Sequence, residues 1–458
     1  RDFNLFVVGP TGTGRHTAVK EVLKLDAEKR KQPYDWVYVI NFAEEHKPIA
    51  LKLPPDSAKT LQSAMQNLVD DLANDIPNMF ESEEYQTQRR AIEEKFVERH
   101  ETAMAEFADR AKEEGIALVR TPVGFMLTAV RDGKPIKGED FEKLEEDERN
   151  EIEEKISLLE DYLAQILREG PKLEREHRAK AEDLNSSMAE RVVSDRIEEV
   201  RSEFGHVEVV GRYLDDVHKD IIANAELFLM AAKSSQNGPF PEAIRKFHRD
   251  SEFDRYVVNV MVSQDTEACS GAPVIFEDLP SLDRLIGRIE HISQMGSLFT
   301  NFSMIKPGAM HLANGGYLVL DIRRVIKEPF SWEALNQSIR NQSITITSLS
   351  DRLSLASTTT LQPDPIPLDL RVVLVGDPFI YTLLTLLDTD FVELFKVRAE
   401  FEESIDRTDD NLAKFAHLIA AFVKSENLLP MTATGVARVL DEATRIAEDA
   451  TKISLRIG

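Results

Sequence analysis

The residues best suited to chemistry are Gly9, Pro10, Thr11, Gly12, Thr13, Gly14, Arg15, His16 and Thr17, which follow directly on the apolar run Phe3 to Val8. Glycines at this spacing let backbone N–H groups wrap a phosphate, a lysine after the last glycine reaches the β and γ phosphates, and the next Ser/Thr hydroxyl holds Mg²⁺. Here Arg15 stands where that lysine would be and His16 where the hydroxyl would be. A second piece is Tyr317-Leu-Val-Leu-Asp321, four apolar strand residues delivering a carboxylate that can orient the water shell of Mg²⁺. The glutamate expected next, to polarise an attacking water, is replaced by Ile322. Some fifty residues on, Val372-Val-Leu-Val-Gly-Asp377 supplies a third strand, and Asp377 either fills the place of a γ-phosphate sensor or opens the turn before Pro378. Together these residues describe a site for ATP or ADP with Mg²⁺ near Asp321. Arginine supplies charge to a phosphate, but its planar fork is bulkier than an ammonium. A water-positioning group is typically worth 10² to 10⁴ in rate, on the order of 3 to 5 kcal/mol. Nucleotide binding is therefore expected over fast hydrolysis.

Elements that must position these residues are legible around them. Phe3 to Val8 reads as a strand, His16 to Lys31 as a helix and Trp36 to Asn41 as a second strand. Strands return at Tyr256 to Val262, Gly316 to Asp321 and Arg371 to Gly376, each a short apolar run of the kind buried in a parallel sheet. Between them, Ser57 to Ser235 is charged and helical in period. Glu83 to Glu114 reads as one helix. Ile152, Ile156, Leu159, Leu163 and Ile166 write the apolar seam of a coiled coil, which continues at Val193, Ile197, Val200 and Phe204. Gly170-Pro171 predicts a break that would fold this stretch into a helical hairpin. Ile116 to Pro135 reads as a small β-hairpin set among the helices. The insertion is either a solvated structural arm or a lid that handles substrate, with Val123, Phe125 and Met126 as its apolar contact residues. Asn411 to Ile453 reads as a helical lid.

The chain has 458 residues, enough for two to four domains, and a formal charge of −25 that argues against a general nucleic-acid binder. No apolar run reaches the roughly 18 residues of a membrane span. The single cysteine, Cys269, excludes an internal disulfide and fits a reducing cytoplasm. The abrupt start at Arg1-Asp2-Phe3 suggests a piece of a longer protein. No His/Cys group has metal-ligand spacing; His16 reads as a solvated first-turn residue, and His311 packs or caps in the loop before its strand.

Pro307-Gly-Ala-Met-His-Leu-Ala-Asn-Gly-Gly316-Tyr-Leu-Val-Leu-Asp321 resembles the segment leading into the second nucleotide motif of Lon-type ATP-dependent proteases, in the archaeal-type branch and its bacterial relatives with a long helical insertion. Asn4 to Gly9, Tyr38 to Phe42 with Lys47-Pro48, Thr121 to Phe125, Gly287 to Glu290 and Phe395 to Phe401 agree with it, so the likeness spans nearly the whole chain. The resemblance implies an AAA+ α/β core with a parallel sheet, a coiled-coil-like helical insertion and an all-α lid. It sets the core at 1–56 and 251–402, the insertion at 57–250 and the lid at 403–458. It further implies a homo-hexameric ring feeding unfolded polypeptide to a serine protease domain beyond Gly458. The Ser-Lys dyad would lie there, and no residue of this chain is assigned to peptide hydrolysis. By the same similarity Gly9 to Thr17 would contact nucleotide. Lys396 or Arg398 would reach a neighbouring subunit's phosphate unless they are ordinary surface charge, and Arg456 would be a sensor near the lid. Two alternatives stand beside this: a structural or chaperone ring with an inert nucleotide site, and a coiled-coil DNA-repair ATPase. The latter lacks support from an LSGG-type signature and sits poorly with the acidic charge.

Overall fold

The computed structural model describes residues 3–121, 124–131, 134–135, 146–236, 247–264, 271–294, 297–347 and 361–456. Its contacts divide the chain into two units, one of Arg1–Asn67, Phe204–Tyr213 and His248–Gly458, the other of Leu68–Glu203 and Leu214–Phe247.

The first unit is built on five parallel strands: β1 (Leu5–Val8), followed by helix α1 (Arg15–Ala27); β2 (Val274–Glu277); β3 (Tyr317–Asp321), followed by α2 (Ile322–Lys327); β4 (Arg371–Gly376), followed by α3 (Pro378–Leu387); and β5 (Val397–Glu400). Their order is β5-β1-β4-β3-β2, with Leu5 opposite Val373 and Val319 opposite Val373 on the other side. Alternation along the strands sorts side chains to two faces. Phe6, Val8, Leu318, Leu320, Val372 and Leu374 enter one core with Ile322 and Phe391. Val7, Val319, Val373 and Val375 enter another with Val19 and Leu23 of α1. Both faces being covered explains why these strands read as unbroken apolar runs.

Two strand readings need correction. Trp36 and Tyr256 do not lead into the parallel sheet. Asp35–Val39 pairs antiparallel with both Ile49–Leu53 and Asn259–Val262 in a separate three-stranded sheet. An apolar run buried on both sides looks the same in either sheet, so periodicity could not separate them. Within that sheet, buried Asp35 accepts the Ala58 N–H at 3.0 Å, at the start of the helix Ala58–Glu81, and the Gln264 N–H at 2.8 Å.

The lid consists of helices Asp409–Ser425 and Ala433–Ile446, packed through Phe415, Ile419 and Ala443 and closed by an antiparallel ribbon of Ser404–Asp406 with Lys452–Ser454.

In the second unit, Glu83–Glu113 runs beside a single helix, Glu146–Phe204, of 59 residues, about 90 Å at 1.5 Å per residue. Gly170-Pro171 does not break it, which corrects the expected hairpin at that point. Pro171 forfeits a backbone hydrogen bond. Contacts from the partner helix flank the site: Arg99 pairs with Glu176 at 3.4 Å and Phe96 lies against His177 with ring centroids 4.7 Å apart. The reversal falls instead around Ile116–Thr121 and Gly124–Arg131, an antiparallel pair joined by Lys134–Pro135. Leu159 and Leu163 of the coiled-coil seam pack on Phe107, Ala111, Ile116 and Leu127 there.

Candidate functional site

The site lies at the C-terminal ends of β1, β3 and β4. Gly9 N–H donates to the Gly376 carbonyl at 3.2 Å, tying the loop to the end of β4. Gly12 and Gly14 adopt φ of 87° and 72°, which favours glycine, and Thr13 closes the turn by donating its hydroxyl to the Pro10 carbonyl at 2.9 Å. Helix α1 begins at Arg15 with no side-chain cap, no acidic residue in its first turn, and His16 and Thr17 exposed. Thr11, Gly12 and Gly14 are likewise exposed.

Arg15 turns inward. Its side chain is buried, and Nη1 donates to the Gly9 carbonyl at 2.5 Å and also to the Gly376 carbonyl. Both bonds leave the same terminal nitrogen, whose two N–H groups can each serve one acceptor. Burial lowers the Arg15 pKa; the charges of Asp321 and Asp377 oppose that, and the neighbouring Arg323 adds to it. The guanidinium remains charged throughout the physiological range.

Asp321 caps α2, its Oδ1 accepting the Arg323 N–H at 2.8 Å. Ile322, where a glutamate was looked for, is fully buried in the core beneath the sheet ends. Asp377 caps α3 through the Ile380 N–H at 3.0 Å, with Pro378 at the first helical position. Its second oxygen takes Nε and Nη2 of Arg323, each at 2.9 Å. Burial resists ionisation of Asp377, but the Ile380 N–H, the Arg323 guanidinium and the Phe379 N–H outweigh it and hold its pKa below the usual carboxylate range.

Arg323 was not singled out from sequence. The available signal was an arginine two residues after the strand-end acid, in a chain that had lost the intervening glutamate.

The structure places the other candidates apart from this cluster of contacts. Lys396 is exposed just before β5. Arg398, on that strand, pairs with Glu400 at 2.9 Å and lies over the Tyr381 ring at 4.7 Å. Arg456 pairs with Glu403 at the base of the lid. Met126 on the hairpin is about half exposed, 52%. Val123 and the Phe125 side chain lie outside the described residues.

Three family models match the chain: "LonB-like, AAA domain" over residues 270–402, "Lon-like LonC helical domain" over 35–68, and "Archaeal LonB, AAA+ ATPase LID domain" over 430–458. Among curated proteins, an archaeal Lon protease of Methanocaldococcus jannaschii is 26% identical over 200 residues, covering 41% of this chain and 28% of the relative. The chain thus spans a little over a quarter of the length of the curated relative it matches. Among the described residues no helix is long and apolar enough to cross a membrane.

Proposed function

We propose, for a chain that carries a Lon-related AAA+ part, that it is the substrate-handling module of a Lon-related serine protease ring whose nucleotide site has kept its shape and lost most of its chemistry. An AAA+ part implies a nucleotide, usually with Mg²⁺. The side chains as arranged do not fit that group. The observation that carries this reading is Arg15, whose guanidinium donates into the protein, to Gly9 and Gly376, instead of facing the space before the loop. His16 offers an imidazole where a hydroxyl would hold the metal, and Ile322 puts carbon where a water-positioning carboxylate is needed. Each loss is worth orders of magnitude in rate.

On this reading the ring, a homo-hexamer, positions unfolded chains without cycles of hydrolysis. The β-hairpin of the helical unit offers apolar side chains beside acidic helices, Met126 among them, and serves as a landing surface for extended polypeptide. The test uses the full-length protein. Degradation of an unfolded protein should proceed at the same rate with and without ATP, and deletion of 116–135 should slow it while small-peptide cleavage stays intact. Strong stimulation by ATP would overturn the degenerate site, and equal loss of both cleavages would overturn the role of the hairpin.

A further inference from the structure

Resting on that reading of the site, we infer that Arg15 and Arg323 form a resident cation pair, taking the positions of positive charge that a lysine and a divalent cation supply in a working site and holding the strand ends together without either. Two carboxylates, Asp321 and Asp377, stand at the ends of neighbouring strands. Alone they would repel each other and call for a cation. The chain meets that need with its own side chains, two guanidiniums for two carboxylates. Arg15 ties the end of β1 to the end of β4 through the Gly9 and Gly376 carbonyls. Arg323 ties α2 to the end of β4, its backbone N–H on Asp321 and two side-chain nitrogens on Asp377.

The geometry leaves little for a metal ion to coordinate. Asp377 has one oxygen on the Ile380 N–H and the other under Arg323, while an Asp321 oxygen is engaged by a backbone N–H. A divalent cation approaching Asp377 meets a positive charge already bound there. Arg323 is the member that can be exchanged, because its side chain is 59% exposed whereas Asp377 is 15% exposed. Arg15 is the buried member, and its charge is matched by carbonyl dipoles and the same two carboxylates. The pair therefore acts as a specificity determinant: it makes the site indifferent to Mg²⁺ and to the nucleotide that Mg²⁺ accompanies.

The experiment titrates the full-length protein with a fluorescent ADP analogue, with and without Mg²⁺, and with Mn²⁺ alone followed by electron paramagnetic resonance. Wild type is compared with Arg323→Gln, which keeps the backbone N–H to Asp321 and much of the side-chain bulk, and with Arg15→Lys/Arg323→Gln. We expect no saturable Mg²⁺-dependent signal for wild type, at least tenfold tighter Mn²⁺ binding for Arg323→Gln, and Mg²⁺-dependent ADP binding in the double variant, with a melting temperature that rises on adding Mg²⁺ and ADP. Should the double variant fail to fold, Mn²⁺ binding by Arg323→Gln alone decides the matter. Tight Mg²⁺-dependent binding by wild type would remove the degenerate-site premise. A silent wild type with folded but equally silent variants would leave that premise standing and overturn the resident pair.

Discussion

Acid should destabilise the first unit, the one built on the parallel sheet, through His311. This imidazole, on the short helix Ala309–Leu312 and beside Gly287, is fully buried. Its Nδ1 accepts the Gly308 N–H at 3.2 Å, so the ring proton belongs on Nε2, which is buried without a partner among the described residues. Protonation would set a second N–H on Nδ1 against that donor and place a charge among apolar side chains. Burial accordingly drives the pKa from 6.5 down to about 3. The unfolded chain takes up a proton as pH falls through 6.5, and the folded chain refuses it until about 3. Stability from this group is complete above the unfolded value and is lost as pH falls below it. Each pH unit within the window costs about 1.4 kcal/mol, so a drop from 6.5 to about 5 costs roughly 2 kcal/mol. Urea unfolding at about pH 7.5, 6 and 5 should be compared between wild type and His311→Gln, whose amide oxygen can accept the same N–H without titrating. The stability gap between the two should shift in favour of the variant by about 2 kcal/mol across that range. A gap that stays constant with pH would refute the buried neutral imidazole.

Restoring the glutamate as Ile322→Glu should not restore hydrolysis: a carboxylate at this fully buried position costs about 4 kcal/mol or more, read as a collapse of the urea midpoint. Retained stability together with new ATPase activity would contradict the placement of Ile322 in the core. Pro171→Ala should raise the stability of the helical unit by about 1 to 3 kcal/mol, because the helix continues through that residue; a neutral or destabilising result in thermal melts would favour a turn at Gly170-Pro171. Gly316→Ala should cost about 3 kcal/mol or more, since its Cβ would stand 2.0 Å from the Pro273 carbonyl oxygen where β3 meets β2. Near-native stability in that variant would mean the two strands are further apart than described.

The parts of the fold that were legible in sequence are those where local pattern and tertiary role coincide. Leu5 to Val8 within the run read from Phe3, Tyr317 to Asp321 and Arg371 to Gly376 are short apolar runs packed on both faces, and each is a parallel strand, whereas Phe3 is exposed and bridges Phe395 outside that strand. His311 could be read as a capping residue because its partner, Gly308, is three positions away. Val274–Glu277 and Val397–Glu400 were missed as strands: both lie at sheet edges, are four residues long and are incompletely buried, so they carry too little hydrophobic signal. Pro171 misled because propensity weighs the lost hydrogen bond and cannot see the partner helix. The spacing of the glycines from Gly9 to Gly14 was plain, but the direction of the Arg15 side chain depends on a carbonyl 361 residues away. Arg323 escaped notice for the same reason, its partner Asp377 lying 54 residues on.

If the loop keeps the form of a nucleotide site while its own side chains occupy it, the protein should not hydrolyse ATP. The most direct measurement is phosphate release by the full-length protein supplied with ATP, Mg²⁺ and an unfolded substrate. The rate should be indistinguishable from the background without protein and should not rise when the substrate is added. Brisk, Mg²⁺-dependent turnover stimulated by the substrate would contradict it.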